Sequence, residues 1–248
     1  MNEEKLYYSD AENENRYRAS ENNDLNLFFA AVAHELKSPV NSLIMLVDLL
    51  RNEADERNDE SLKELAGILS NKASGISEKI ESLMDFSRIS SLIPEIEPVY
   101  IGALFNDVFD ELHSLEPDRN IILELDELPV INGDDVLIEI LVKNLLSNAI
   151  KFSAVREKAV ITVSYSNDRD HHIISVRDNG IGFEMKDADS IFQIFTRLNA
   201  SEKYEGHGVG LALCRRIMTR HGGRIEARSV PDEGTEFILY FPKQVCPV

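Results

Sequence analysis

The stretch FFAAVAHELKSPV, residues Phe28 to Val40, decides how the first third of the chain folds. Each residue of an α-helix advances about 100°, so apolar residues that recur every three or four positions share one face. That face carries Leu25, Phe29, Val32, Leu36, Val40, Leu43, Val47 and Leu50. His34 lies roughly opposite to it, in solvent beside Glu35. An exposed imidazole next to a carboxylate can act as a nucleophile or a proton carrier, although most surface histidines have no such role.

The pattern predicts two long amphipathic helices joined by the charged turn RNEADERNDE. The first runs from about Asp24 to Ala54, and the second from near Asp59, which can cap it, to about Ser90. The apolar row of the second helix consists of Leu62, Leu65, Leu69, Ile76, Ile80 and Leu83. Residues 1–23 are polar and weakly periodic, which indicates a lead-in or linker segment.

A helical hairpin with one apolar face cannot bury that face alone. Two copies could pair through residues 24–91 as a four-helix bundle, so we predict a homodimer. Packing of the hairpin on its own downstream domain is the alternative. Pro39 removes one helical hydrogen bond and is expected to bend the first helix beside His34.

Pro94 and Pro98 mark a boundary, beyond which residues 95–243 show a mixed pattern. The expected helices are IGALFNDVFDELHSL, DDVLIEILVKNLLSNAIKFS and a segment from about Val209 to His221. The expected strands are NIILELDEL, AVITVSYSN, HIISVRDNG, RIEARSV and TEFILYFP, the last two forming a hairpin. Strands separated by helices predict an α/β sandwich, in which helices cover one mixed sheet.

Composition narrows the function class. The formal net charge of the 248 residues is −18, which disfavours nucleic acid and anionic membrane surfaces as partners. The two cysteines are too few for a disulfide framework or a metal site. No secretory segment opens the sequence and no apolar run is long enough to insert in a membrane, so we expect a cytoplasmic location.

Three polar residues share one face of the helix that opens with Asp134. Asn144, Asn148 and Lys151 are spaced i, i+4 and i+7. Asn amide oxygens can complete a Mg²⁺ shell without repelling a triphosphate, and a lysine can add a point charge to a phosphate. Without other features, a solvated polar face would explain them equally well.

Two glycine-rich segments follow in the same half. DNGIGF, Asp178 to Phe183, comes after a strand, and Asp178 could accept a hydrogen bond from an adenine amino group; a simple Asp-Asn-Gly turn is the alternative. GHGVGLAL, Gly206 to Leu213, leads into a helix N-terminus, which is a cradle for anions. Phe192, Phe195 and Arg197 lie between these segments, followed by NASEKYE, a polar stretch suited to a mobile lid.

The order of these motifs resembles that of the two-component sensor histidine kinases. HELKSP resembles the H-box, NLLSNAIKF the N-box, DNGIGF the G1 box, Phe192 and Phe195 the F-box, and GHGVGL the G2 box. The similarity covers roughly residues 24 to 242, and within the family it is similar to the phytochrome-type branch. The resemblance implies a dimeric phosphoacceptor hairpin followed by an α/β sandwich of the Bergerat (GHKL) type.

The resemblance also implies ATP and Mg²⁺ as cofactors and a role for each matched residue. His34 would accept the phosphoryl group with Glu35 as its base partner, and Asn148 would bind Mg²⁺ with the help of Asn144. The nucleotide would be bound by Asn144, Asn148, Lys151, Phe152, Asp178, Gly180, Gly182, Arg197, Gly206, Gly208, Gly210, Leu211 and Thr235. The phosphoryl group would pass to an aspartate on the receiver domain of a separate response regulator.

Three positions depart from the family pattern. Lys37 replaces the usual Arg. Ser38 stands where Thr or Asn in the family helps to orient water for dephosphorylating the partner, and Ser keeps a hydroxyl but lacks the stiffening β-branch of Thr. His207 replaces a small hydroxyl residue in the G2 box.

Two other functions compete with the kinase. In gyrase-type ATPases of the same fold a Glu precedes the metal-binding Asn by four residues, whereas this chain has Asn144 there and so lacks that base for hydrolysis. A degenerate kinase that serves as a partner-binding scaffold is the second alternative, and His207 is its only support.

Overall fold

A computed structural model describes residues 32–33, 35–196, 198 and 208–243. The chain divides into two compact units, Met1–Leu92 and Ile93–Val248. The described part of the first unit is helical and that of the second is mixed α/β, in agreement with the predicted fold class.

The first unit is a helical hairpin. Residues 35–56 belong to helix α1, residues 57–59 form the turn, and helix α2 spans Glu60–Ser91. Asp59 is the predicted N-cap, since its side chain accepts a hydrogen bond from the backbone N–H of Leu62 at 3.0 Å. The backbone remains helical through Pro39, and the bend expected there stays a prediction.

Within one copy, the two helices bury a seam that repeats every seven residues. Ala33, Val47 and Ala54 of the first helix are buried, with Val40 partly buried between them. The seam of α2 consists of Ala66, Ala73, Ile80 and Ser87. A seven-residue repeat keeps one narrow face of each helix against its neighbour, and the small alanines allow close approach.

The predicted apolar rows are therefore only partly covered in a single copy. Five of their leucine and isoleucine members remain 40–51% exposed, namely Leu36, Leu43, Leu65, Leu69 and Ile76. The sequence pattern predicts one broad apolar face on each helix. In the structure, part of that face forms the intramolecular seam, and the five exposed residues form a row that the single copy leaves uncovered.

The second unit is built on a five-stranded mixed sheet. Its strands are β2 (Ile121–Leu125), β4 (Ala159–Asn167), β5 (His171–Asp178), β6 (Arg224–Val230) and β7 (Gly234–Pro242), in the order β2-β4-β5-β7-β6. The β2–β4 pair is parallel and the other pairs are antiparallel. Alternate residues of β4 and β5 are buried, which leaves one face of the sheet for helices.

Three helices pack against that face. Helix α3 spans Ile101–Ser114 and contacts β2, helix α4 spans Asp135–Phe152 and contacts β4 and β5, and helix α5 spans Gly210–Arg220 and contacts β6 and β7. The core is rich in α4 side chains that are almost fully buried, namely Leu137, Ile138, Leu141, Val142, Leu145 and Leu146. Asp134 caps α4 through the backbone N–H of Leu137 at 3.0 Å.

One prediction about the sheet was incomplete. A second, two-stranded sheet pairs β1 (Glu97–Tyr100) with β3 (Val130–Gly133). Each strand has four residues, and Pro98 inside β1 marked a boundary in the sequence rather than a strand. Proline is tolerated there because an edge position needs no N–H from it. Two short 3₁₀ turns, Met185–Asp187 and Ser190–Phe192, were also unpredicted.

Among the helices of the described segments, none has both the length and the apolar character needed to cross a bilayer.

Candidate functional site

Helix α4 presents the predicted polar face. Asn144, Asn148 and Lys151 all lie on this helix and are half-buried. The Asn144 amide donates through Nδ2 to the carbonyl oxygen of Ile140 at 2.8 Å, so the helix itself fixes the direction of this side chain. The Lys151 ammonium lies 4.3 Å from the centre of the Phe152 ring. The face therefore offers two amide groups and one cation along the same helix.

Asp178 is a buried carboxyl at the end of β5, with 5% of its surface exposed. Its Oδ1 accepts hydrogen bonds from the backbone N–H of Gly180 at 2.7 Å and of Thr235 at 3.3 Å. Both bonds end on Oδ1, which leaves Oδ2 to accept a hydrogen bond from a ligand. Burial raises the pKa of Asp178 to about 6, while the two backbone hydrogen bonds and the charge of Arg177 oppose the rise.

The loop that follows Asp178 is closed in by backbone on two sides. Gly182 has φ +61°, and a Cβ on it would lie 2.1 Å from the carbonyl oxygen of Val230, so only glycine fits there. The N–H of Ile181 donates to the carbonyl of Phe152 at 3.2 Å. The end of α4 and the β6–β7 turn thus hold the loop between them.

The second glycine segment brings the start of α5 against α4. A Cβ on Gly210 would lie 2.4 Å from Asn144 Oδ1, so glycine allows this close approach. Helix α5 begins at Gly210 and its N-cap, Val209, makes no side-chain capping bond. Its first N–H groups therefore remain available to an anion beside the Asn144 amide. Leu211 is half-buried in the first turn of this helix.

The two phenylalanines between the glycine segments differ in exposure. Phe192 is buried and meets Phe237 edge-on, with ring centres 6.3 Å apart. Phe195 is exposed and has φ +63°, and its N–H donates to the carbonyl of Gly208 at 2.8 Å. This bond joins the segment that carries the two phenylalanines to the glycine segment at Gly208.

The structure brings together one group of the predicted nucleotide residues. Helix α4 lies against both glycine segments. Asn144, near the middle of the helix, contacts Gly210, and Phe152, at the end of the helix, contacts Gly180. Gly208 and Thr235 complete the described members. His34, Arg197, Gly206 and His207 lie outside the described residues, so their predicted roles stay predictions. In the separate hairpin unit, Glu35 and Ser38 are exposed on α1.

Sequence reasoning missed two polar residues that hold these elements. The imidazole of His221 is buried at the end of α5; its Nε2 accepts from the N–H of Asp134 at 2.9 Å and its Nδ1 donates to the carbonyl of Ile217 at 2.8 Å. Burial lowers the pKa of His221, which agrees with a neutral ring that both accepts and donates. The only sequence signal for His221 was its position before Gly222 and Gly223.

Arg156 is the second polar residue that the sequence analysis missed. Its guanidinium donates hydrogen bonds to the loop after Asp178.

Comparison with known protein families matches both units. Residues 24–92 match the His Kinase A (phospho-acceptor) domain. Residues 133–245 match the histidine kinase-, DNA gyrase B-, and HSP90-like ATPase.

Curated relatives extend across both matched regions. The chain is 26% identical over 221 residues to the phytochrome-like protein Cph1 of Synechocystis sp., which covers 89% of this chain and 29% of the relative. It is 29% identical over 224 residues to the sensor histidine kinase RcsC of Salmonella typhimurium, covering 87% of this chain and 23% of the relative. The chain thus spans less than a third of the length of these two relatives.

Solved structures share the fold. Full-length ShkA in complex with AMPPNP is similar with a TM-score of 0.66 and 21% identity, over 89% of this chain and 47% of ShkA. The catalytic domain of the histidine kinase ThkA is similar with a TM-score of 0.52 and 24% identity, over 60% of this chain and 98% of that domain. With a phospho-acceptor domain followed by an ATPase domain, in the arrangement of sensor kinases, this chain belongs to the histidine kinase family.

Proposed function

We propose that the chain is an ATP-dependent protein histidine kinase that phosphorylates itself on His34. The observation that carries the proposal is the buried Asp178, whose free Oδ2 lies in an ATPase-type domain, in a chain that also has a phospho-acceptor domain. We assign residues 24–91 to the dimerisation and phosphoacceptor hairpin and residues 95–243 to the ATP-binding domain. We assign residues 1–23 to an N-terminal lead-in or linker.

In this proposal the adenine amino group donates to Asp178, and the phosphates meet the uncapped start of α5 and the Lys151 ammonium. The bound AMPPNP of the structurally similar ShkA supports a nucleotide at this site. Arg197 is the proposed partner of the γ-phosphate. A buried carboxylate gives base selectivity, while N–H groups and cations neutralise the phosphates.

The donor set of α4 fits Mg²⁺ that arrives with the nucleotide. Within the described residues no group of three or more His, Cys, Asp or Glu side chains could hold a metal by itself. Asn148, assisted by Asn144, would offer neutral amide oxygens, which suit an ion that keeps phosphate and water ligands. When bound, Mg²⁺ would neutralise charge on the phosphates.

The proposed reaction is an in-line phosphoryl transfer. A neutral imidazole nitrogen of His34 attacks the γ-phosphorus, the bond to the bridging oxygen of ADP breaks, and ADP leaves with that electron pair. Glu35 would accept the proton released from the imidazole. The phosphohistidine would then donate its phosphoryl group to an aspartate of a response regulator.

We also propose that the chain acts as a homodimer through residues 24–91. The uncovered row on the hairpin, Leu36, Leu43, Leu65, Leu69 and Ile76, supports this proposal. A second copy would cover a long apolar strip that water otherwise solvates.

Incubation of the purified chain with γ-labelled ATP and Mg²⁺ tests the proposal. We expect label on His34 that is lost in acid and retained in base. His34→Gln should abolish the label while ATP binding, measured by calorimetry, remains. Release of free phosphate without protein label would instead favour the ATPase alternative, and neither product would favour the scaffold. Transfer to candidate receiver domains then tests the second step.

A further inference from the structure

Arg156 lies in the loop between α4 and β4, and its guanidinium contacts three backbone carbonyl groups. Its Nε donates to the carbonyl oxygen of Asn179 at 2.7 Å, and its Nη2 donates to that of Gly180 at 3.0 Å. The same Nη2 donates to the carbonyl oxygen of Asp232 in the β6–β7 turn. One side chain therefore joins its own loop to two distant segments, the loop after Asp178 and the β6–β7 turn.

These carbonyl groups belong to the surroundings of Asp178. The loop after Asp178 has two backbone bonds of its own, and both involve Ile181: its N–H donates to Phe152 and its carbonyl accepts from the N–H of Asp232 at 2.7 Å. The carbonyls of the two preceding loop residues instead receive the Arg156 donors. The Asn179 side chain is bonded to Val160 and Lys158 on the β4 side, and Asp178 Oδ1 to the N–H of Thr235. Without Arg156 the carbonyl groups of Asn179 and Gly180 would lose their link to the β6–β7 turn.

The chemistry of the side chain matters here. A guanidinium is planar, permanently charged and carries five N–H donors in a fixed fork, so it can serve several carbonyl groups at once. Hydrogen bonds from a charged donor are about twice as strong as neutral ones. A lysine offers one flexible point charge and cannot span the same set.

We propose that Arg156 is a positioning residue for nucleotide recognition: it fixes the loop from Asp178 to Gly182 in the conformation that presents the Asp178 carboxylate to the adenine. This inference rests on the proposed ATP site. Arg156 acts through the loop, so it should set the affinity for ATP rather than the rate of phosphoryl transfer from bound ATP.

The test compares Arg156→Ala and Arg156→Lys with wild type in the full chain. ATP affinity is measured by calorimetry, and KM and kcat for ATP by labelling of His34. We expect Arg156→Ala to raise the dissociation constant and KM about tenfold, because the loop would hold its binding conformation only about a tenth of the time, with kcat near the wild-type value. Arg156→Lys should fall between the two.

Arg119→Ala is the matched control, because the Arg119 guanidinium also donates to a backbone carbonyl, that of Ile150 at 3.0 Å, but does not reach the loop. It should lower the unfolding midpoint and leave ATP affinity unchanged. Equal ATP affinity in wild type and Arg156→Ala, or equal weakening by Arg119→Ala, overturns this inference alone. A wild-type chain that binds no ATP overturns the proposed function, and this inference with it.

Discussion

At the scale of single residues, the buried carboxyl of Asp178 is proposed to bind the nucleotide but lowers the free energy of unfolding of the ligand-free chain. Burial raises its pKa to about 6, so a proton is held more tightly in the folded chain than in the unfolded one. The carboxylate needed for adenine thus opposes folding, and the two backbone hydrogen bonds to Oδ1 offset only part of that cost. A site residue that lowers stability until its ligand binds is common in proteins.

This pKa predicts how ATP affinity depends on pH. As the pH falls from about 7.5 through 6, protonation removes the charged acceptor for the adenine amino group, so affinity should fall. The measurement is calorimetry of ATP binding across that range. Because phosphate ionisation affects both chains alike, the ratio of wild-type to Asp178→Asn affinity isolates the carboxyl. A ratio that is constant with pH would contradict the assignment.

The raised pKa of Asp178 also predicts how the stability of the ligand-free chain depends on pH. Because the folded pKa lies above the ordinary value of 3.8, the stability contribution of Asp178 is greatest at low pH and is lost as the pH rises to about 6. Asp178→Asn should therefore raise the free energy of unfolding at pH 7, by roughly 3 kcal/mol at most. Denaturant unfolding at pH 7 and pH 5 checks this, and a gain no larger at pH 7 than at pH 5 would contradict it.

At the scale of elements, the junction of α4 and α5 depends on one close contact. Asn144 is fixed by its own helix, and Gly210 leaves the space that its Oδ1 occupies. The start of α5 can therefore present its N–H groups directly beside an amide oxygen. The buried His221, at the end of α5, links that end to the start of α4, since it accepts from the N–H of Asp134 and donates to the carbonyl of Ile217.

Gly210→Ala tests this junction. The added Cβ would displace the Asn144 side chain, so we expect weaker Mg²⁺-ATP binding. The atom displaced is the far end of a side chain that can move, so the unfolding midpoint should change little. Gly67→Ala, on α2 with nothing within 4 Å of its Cβ, is the control and should leave ATP binding intact. Unchanged binding in both variants would disprove the role of the contact.

At the scale of the whole molecule, the uncovered row of the hairpin predicts self-association. Leu69 and Ile76 of α2 are 40% and 43% exposed in a single copy, although the sequence pattern marks them for burial. A long apolar strip of this kind is typical of an interface rather than of a solvated surface.

Charged substitutions on this row should dissociate the dimer. Leu69→Glu combined with Ile76→Glu would place buried charges in the interface, which is costly, so the mass measured by light scattering should fall to that of a monomer. Leu115→Glu is the control, because Leu115 is 73% exposed in the other unit and should not affect the mass. A wild-type chain that is monomeric at high concentration would refute the proposal directly.

The sequence alone determined the elements and the kind of site. The cap Asp59, the bounds of β4 and the polar face of α4 follow from interactions between residues a few positions apart, so they can be read in order along the chain. The order of the glycine segments likewise indicated a nucleotide site and the histidine kinase family.

Only the tertiary structure decided which groups meet. The division of the hairpin's apolar rows, the β1–β3 pair, the raised pKa of Asp178 and the three carbonyl contacts of Arg156 all depend on segments far apart in sequence. Burial and hydrogen bonding between such segments are set by packing, and no local periodicity encodes them.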